Sequence, residues 1–303
     1  LGIFNFGNAV LSANGDTKRP LLYLTIAGIL NVILNLFFVI VCKMAADGVA
    51  LASVISQYVS AILVVWHMMR LNDACKFYFQ RLRFHGDEVG RILGLGVPAG
   101  IQHMIFAIAN LFIQAAVNSF DSTMVSGNAA AANTDTIIYN IMMAFYTACS
   151  TFMGQNWGAG HKKRMMDSYL ISLFYAFAVA AVLGVAFYFA GRPFLYVFTN
   201  SADVVEAGMQ RMKIMCFSYA ISAFMDNTIA ACRGLGRTIV PTVVVIMGSC
   251  VFRVIWVYTI FAHYHTIPSL YLLYAFSWTI TAAAEIVYFL HCFRKLRLVP
   301  ETA

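Results

Sequence analysis

The chain has 303 residues, of which 61% are hydrophobic and 11% are charged. A soluble domain of average composition has roughly 25% charged residues, so this chain lacks the polar side chains that a water-exposed surface needs. The formal net charge of +7 lies in short segments between long apolar ones. We therefore attribute it to membrane topology and anionic lipid, and expect no nucleic-acid partner.

Long apolar stretches predict an all-α polytopic membrane protein. Each is about 20 residues long, the length that crosses a bilayer as a helix. We predict one partial and eight complete spans: 1–13 (partial), 20–42, 46–69, 92–118, 128–152, 166–190, 209–232, 239–262 and 268–293. The chain begins without Met, and we expect it to start inside a helix of a longer parent protein.

Basic residues predict the orientation of these spans, because Lys and Arg concentrate in cytoplasmic loops. Alternate connections form two sets. The richer set holds Lys18, Arg19, Arg70, Lys76, Arg81, Arg83, Arg91, Lys162, Lys163, Arg164, Arg233, Arg237, Arg294, Lys295 and Arg297. The poorer set holds Lys43, Arg192, Arg211 and Lys213. We expect a multi-pass protein of the cytoplasmic (inner) membrane, with the richer set and the C-terminus in the cytoplasm.

Two connections share the motif G-x-T-x-x-P. It reads GDTKRP from Gly15 to Pro20 and GRTIVP from Gly236 to Pro241, so all matches have one offset. By our count of spans both connections lie on the same side, and both belong to the basic set. This predicts a repeat of six helices in parallel orientation. Counting back by that offset, we expect that roughly 130 residues of the parent protein precede this chain.

Several motifs resemble the multidrug and toxic compound extrusion (MATE) family. They are ANGDTKRP from Ala13, GLGVPAG from Gly94, FMGQNWGAG from Phe152, RGLGRT from Arg233 with Pro241, and FRV around Arg253. The resemblance implies a twelve-helix exporter with two six-helix lobes around a central cavity, driven by inward flow of H⁺ or Na⁺. Residues 1–70 would then be the end of the N-lobe (the end of helix 4 and helices 5 and 6), 71–91 a cytoplasmic linker, and 92–297 the C-lobe (helices 7 to 12).

Ionisable residues within the spans are candidates for ion coupling, because charge inside a membrane needs a partner or a wet cavity. The candidate acids are Asp226, Asp135 and Glu285. Each has an alternative interpretation: Arg233 or Arg253 could hold Asp226 as a structural charge partner, Asp135 could be solvated near the outer end of its span, and Glu285 could serve helix packing. Some family members carry an acid near Gln102, where this chain has none.

Polar and aromatic side chains at helical spacing predict a cavity wall or, alternatively, a helix interface. The cavity candidates are Gln102, Asn110, Gln114, Tyr139, Asn140, Ser222 and Trp278. Asn31 and Asn35, one turn apart, instead predict a contact between helices.

The predicted function is cation-coupled export of organic cations or amphiphilic drugs by alternating access. A lipid-linked oligosaccharide flippase of the same wider superfamily is an alternative, and a membrane enzyme is a second. The chain lacks H-E-x-x-H and G-x-S-x-G motifs, which disfavours the enzyme. We expect no metal site, no cofactor beyond the coupling ion, and a monomer in the bilayer.

Overall fold

A computed structural model describes residues 1–72 and 75–296. Arg297, the predicted end of the C-lobe, lies outside the described residues. In the described part the secondary structure is helical and contains no strand. Eight of its helices are long and apolar enough to cross a membrane, judged by length and composition. The predicted all-α membrane architecture is thereby confirmed.

The chain divides into two units, Leu1–His85 and Gly86–Ala303. The helices of the first unit are α1 (Gly2–Ala13), α2 (Lys18–Val41) and α3 (Ala46–Arg70). The helices of the second unit are α4 (Gly86–Val117), α5 (Ser122–Gly158), α6 (Lys162–Tyr196), α7 (Ala202–Gly234), α8 (Ile239–Tyr264) and α9 (Ile267–Lys295).

Several helices extend beyond the predicted spans. Helix α5 has 37 residues, about 55 Å at 1.5 Å per residue, although its apolar stretch covers only 128–152. The segment 154–158, which lies beyond the predicted span 128–152, is helical. Residues 86–91, which we assigned to the linker, form the first turns of α4. Apolar composition marks the part of a helix that lipid covers, so it misses the ends that project into water.

In the first unit, α3 packs against α1 and α2. The contact with α2 is polar: the Asn31 amide donates to the hydroxyls of Ser56 at 3.2 Å and Ser53 at 3.5 Å, and Asn35 donates to Asn31 at 3.0 Å. Neutral hydrogen bonds of this kind join helices within a membrane. The predicted contact between helices is confirmed for Asn31, whereas Asn35 bonds to Asn31 within α2.

In the second unit, α7 is the central helix and packs against α5, α6 and α9. Helices α5 and α7 approach closely at Gly127 and Gly208. A Cβ atom on Gly127 would lie 2.6 Å from the backbone nitrogen of Gly208 and 2.6 Å from the carbonyl oxygen of Val204. Small residues permit such contact between membrane helices. The result is a tight α5–α7 interface along which polar side chains are also buried.

The two G-x-T-x-x-P connections form the same turn. Gly15 and Gly236 have φ angles of 86° and 70°, the left-handed conformation that commonly ends a helix. The backbone bonds match residue for residue: Gly15 N to Ser12 O (3.0 Å), Asp16 N to Leu11 O (2.9 Å), Gly236 N to Arg233 O (2.9 Å) and Arg237 N to Cys232 O (2.9 Å). This is the Schellman motif in both cases.

Helices α2 and α8, which follow these turns, both depart from regular α geometry. Helix α2 ends in a π-helical segment, Phe37–Val41. Helix α8 contains two, Ile246–Val251 and Val257–Phe261, on either side of the α-helical segment Phe252–Trp256. Local π geometry inside an α-helix is frequent at functional sites.

Candidate functional site

The second unit forms a partly open cavity of about 780 Å³, a size that holds a drug-sized molecule. Side chains from α4, α5, α7, α8 and α9 form its wall. The charged and aromatic residues of the wall are His103, Phe106, Asp135, Tyr139, Tyr146, Arg211, Tyr219, Asp226, Arg233, Arg253, Tyr271, Tyr274 and Trp278.

Most sequence-predicted site residues line this cavity. They are Gln102, Asn110, Gln114, Asp135, Tyr139, Ser222, Asp226, Arg233, Arg253 and Trp278. Asn140 does not line it, because adjacent residues of a helix point about 100° apart and Tyr139 takes the cavity side. Glu285 is also outside the wall. The predicted position of Asn140 in the cavity wall is therefore wrong. The coupling role of Glu285 stays a prediction.

Asp226 reaches the cavity from the C-terminal half of α7 and is half-buried. Among the described residues it forms neither a hydrogen bond nor an ion pair. The Arg233 guanidinium instead donates to Gln102 Oε1 at 3.1 Å, and the charges that act on Asp226 are those of Arg233 and Arg253. Its carboxylate is therefore near two cations without being bonded to either, and stays accessible to a ligand in the cavity.

Asp135 forms an ion pair with Arg211, which we had assigned to an outer loop. Arg211 is 8% exposed, and it also donates to the side chain of Asn128 at 2.8 Å. The Tyr271 hydroxyl donates to the same Asn128 oxygen, and the Arg211 guanidinium lies 5.1 Å from the Tyr271 ring centre. This network joins α5, α7 and α9, so Asp135 is not simply solvated at a helix end.

Arg253 enters the cavity between the two π-helical segments of α8, and only 2% of it is exposed. Its guanidinium carbon lies 4.4 Å from the ring centre of Tyr274, 5.3 Å from that of Phe106 and 5.7 Å from that of Trp278. Its Nε donates to the Ser277 hydroxyl at 3.3 Å. Within the described residues Nη2 has no hydrogen-bond partner and Arg253 has no ion pair.

Glu285 is fully buried in α9, and neither of its carboxyl oxygens has a hydrogen-bond partner among the described residues. The charge that acts on it comes from Arg233. A buried polar group without a partner is unfavourable. Glu285 lies one turn beyond Thr281 and two turns beyond Trp278 on the same helix, but unlike Trp278 it does not reach the cavity wall.

Sequence reasoning missed Arg211, Asn128 and Tyr271 as members of the cavity wall. Arg211 was missed because it stands at the start of the predicted span 209–232 and was counted with the polar connection before that span. The start of α7 at Ala202 places Arg211 well inside the helix. A helical periodicity of buried positions from Val205 onward was the signal that could have revealed it.

Comparison with known proteins gives three findings. The sequence model of the MatE family matches residues 98–259. The chain is 31% identical over 216 residues to "Probable multidrug resistance protein YpnP" of Bacillus subtilis, covering 71% of this chain and 48% of that protein. It is 25% identical over 209 residues to the "FAD transporter" of Shewanella oneidensis, covering 66% of this chain and 45% of that protein. The chain thus spans about half the length of these relatives.

Solved structures share the fold. An outward-facing multidrug resistance MATE family transporter of the MOP superfamily superposes with a TM-score of 0.87 at 19% identity, over 96% of this chain and 66% of that chain. A MOP superfamily transporter from Pyrococcus furiosus superposes with a TM-score of 0.89 at 18% identity, over 96% of this chain and 66% of that one. At these identities the likeness concerns the fold alone.

Proposed function

The chain belongs to the multidrug and toxic compound extrusion (MatE) family, and on that premise we propose that its parent protein is a cation-coupled antiporter that exports small aromatic amphiphiles carrying positive charge. Members of this family are transporters, so the membrane-enzyme alternative is excluded. The coupling ion is H⁺ or Na⁺, and cargo and ion bind in turn as the cavity opens to either side. No other cofactor is part of the proposal.

The observation that carries this proposal is Asp226, a half-buried carboxylate that faces the cavity without an ion pair in the described chain. A carboxylate becomes neutral when it binds H⁺, and its negative charge is compensated when it binds Na⁺. It can therefore hold either a cargo cation or the coupling ion, which is the differential affinity that alternating states require. The surrounding rings of Tyr139, Tyr219 and Trp278 suit the apolar body of an amphiphile.

One coupling carboxylate is sufficient energetically. Moving one elementary charge through 100 mV releases about 2.3 kcal/mol. Because about 1.4 kcal/mol corresponds to a tenfold ratio, one ion per cycle supports a cargo gradient of roughly fiftyfold.

The relatives and the size of the cavity bear on the cargo. One relative is named a multidrug resistance protein and another an FAD transporter, so aromatic small molecules are the cargo we propose. A cavity of about 780 Å³ fits such molecules better than the lipid-linked oligosaccharide of a flippase. The basic residues of the cytoplasmic set support a parent protein in the inner membrane with a cytoplasmic C-terminus, and we propose that it acts as a monomer.

The test is dye efflux by the full-length parent protein in bacteria that lack their own major exporters. We expect the parent protein to lower the accumulation of a fluorescent cationic dye, and Asp226→Asn to restore accumulation to the empty-vector level. Asp203→Asn is the matched control, because Asp203 lies on the same helix, is exposed and is outside the cavity wall.

The coupling ion is identified with the same assay. A proton ionophore abolishes efflux if H⁺ is the ion, and removal of Na⁺ abolishes it if Na⁺ is. Equal dye accumulation with the parent protein and with the empty vector would reject export. Normal efflux by the Asp226→Asn variant would remove Asp226 from the coupling step.

A further inference from the structure

Arg253 is the residue of the cavity whose surroundings the coupling step leaves unexplained. It is almost completely buried, yet its guanidinium has one hydrogen bond, to Ser277, among the described residues, and Nη2 has no partner there. A guanidinium has five N–H donors, and a buried charge is normally paired. The rings of Phe106, Tyr274 and Trp278 attract its positive charge but do not replace a planar acceptor.

The charge balance of the wall leaves this guanidinium in excess. The wall contains three arginines and two aspartates. Arg211 and Asp135 neutralise each other in their ion pair. Asp226 then faces both Arg233 and Arg253, and Glu285, which also acts on Arg233, lies outside the wall. One positive charge of the wall therefore has no counter-charge within the wall.

The repeat indicates that the fold itself does not require a cation at this position. At the offset that relates Gly15 to Gly236, Arg253 corresponds to Val32 of α2. Helices α2 and α8 follow the same Schellman turn and both contain π-helical segments. A valine is thus compatible with the helix. The role of the arginine in α8 therefore lies in the cavity and not in the helix geometry.

We propose that Arg253 is a specificity-determining residue that binds an anionic group, a carboxylate or a phosphate, on the aromatic cargo. Arginine binds such planar or multi-oxygen anions with two parallel hydrogen bonds. The flanking Tyr274 and Trp278 rings contact the aromatic body next to that group. The inference rests on the proposed export function and refines its cargo to molecules that carry an acid as well as a cation.

This refinement agrees with a coupling role for Asp226. A zwitterionic cargo places its ammonium group near Asp226 and its acid at Arg253. The coupling ion still competes with the ammonium group for Asp226, while the contact at Arg253 selects which cations are carried. Cations without an acid bind at Asp226 alone and leave the guanidinium unpaired, so they bind more weakly.

The test uses two dyes that differ in one group: a cationic rhodamine methyl ester and the corresponding free acid, which is a zwitterion. Binding to the purified full-length parent protein is measured by fluorescence polarisation. We expect the parent protein to bind the free acid more tightly than the ester. Arg253→Gln should weaken binding of the free acid by about tenfold to a hundredfold, the usual effect of losing hydrogen bonds to a charged group. It should change the affinity for the ester by less than about threefold.

Two further variants keep the test decisive. Arg253→Lys retains the charge and most of the packing but loses the planar guanidinium group that forms two parallel hydrogen bonds. It should therefore weaken binding of the free acid more than binding of the ester, even if Arg253→Gln does not fold. Arg192→Gln is the control, since Arg192 is exposed, pairs with Glu206 and lies outside the wall.

The possible results separate this inference from the export function. The role of Arg253 is overturned if Arg253→Lys binds the free acid as tightly as the parent protein does, or if this variant weakens the binding of both dyes equally. It is also overturned if the parent protein binds neither dye. Absence of efflux of both dyes from cells rejects the export function instead. In that case, selective loss of free-acid binding in the Arg253 variants would still show that Arg253 binds the anionic group.

Discussion

The helix pairs α1–α2 and α7–α8 begin from the same turn and then bury different chemistry. In the first unit the contact between α2 and α3 is neutral, from Asn31 to the Ser56 hydroxyl. In the second unit α8 and α9 share a charged contact, from Arg253 to the Ser277 hydroxyl, in addition to a neutral one between the Ser249 and Thr281 hydroxyls. Ser56 and Ser277 correspond at the offset of the G-x-T-x-x-P repeat. The repeat therefore keeps the position of the acceptor serine, while the donor changes from the amide of Asn31 to the guanidinium of Arg253, which corresponds to the neighbouring Val32.

A second pair of positions shows the same trend. Val64 of α3 and Glu285 of α9 correspond at that offset, and both are 0% exposed. Val64 packs against Gly7, on which a Cβ atom would lie 2.2 Å from Val64 Cγ1. The first unit fills this core position with an apolar side chain, whereas the second places a carboxyl group there. Turn and packing positions are thus common to both units, and buried charge is confined to the second among the described residues.

The largest effect on this contrast should come from the ion pair of Arg211 and Asp135. We expect Arg211→Met to lower the free energy of unfolding by about 3–5 kcal/mol, because it removes the buried Arg211 guanidinium and leaves the half-buried Asp135 without its partner. Thermal unfolding in detergent, monitored by tryptophan fluorescence of the full-length parent protein, measures the change. The double variant Arg211→Met, Asp135→Leu should recover part of the loss. A single variant as stable as the parent protein would show that the second unit does not depend on this pair.

A change of opposite sign is expected at Glu285. Glu285→Met replaces a buried carboxyl group that has no partner with an apolar side chain of similar length, as at Val64, and should raise the free energy of unfolding by about 1–3 kcal/mol. Glu285→Gln is the control, since an amide keeps the unpaired polar atoms and should bring little gain. The same unfolding assay applies. Destabilisation by Glu285→Met would mean that the carboxyl group is an asset to the fold.

The smallest effect should be the same in both units. Gly15→Ala and Gly236→Ala each force a left-handed conformation on a residue with a Cβ atom, which costs roughly 1–2 kcal/mol. A Cβ atom on Gly15 meets nothing within 4 Å and one on Gly236 meets the Trp157 ring at 3.6 Å, so backbone strain dominates at both. Equal shifts in melting temperature support equivalent turns. A clear difference between the two would show that one connection carries an additional constraint.

The sequence was sufficient to predict the helices and several residues of the cavity wall, and it pointed to the two equivalent G-x-T-x-x-P turns, because these depend on apolar length and local spacing. Asp226 and Arg253 could be identified since a charge within an apolar span must face a polar space. The Arg211 network could not, because its partners Asn128 and Asp135 are on another helix and only packing brings them together. Glu285 shares the helical stripe of Trp278, and spacing alone does not tell where a stripe leaves a cavity and enters an interface.

The close approach of α5 and α7 at Gly127 and Gly208 has a consequence for engineering this protein. Backbone atoms of the two helices touch there, and Asp135 and Arg211 lie further along the same helices. Even one methyl group at Gly127 would act as a spacer, forcing the backbones apart and lengthening the gap that the Asp135–Arg211 pair must bridge. The width of the cavity at that end therefore depends on two residues that have no Cβ atom. Substitutions meant to widen the cavity for bulkier molecules should begin at these glycines and not at the residues that bind cargo.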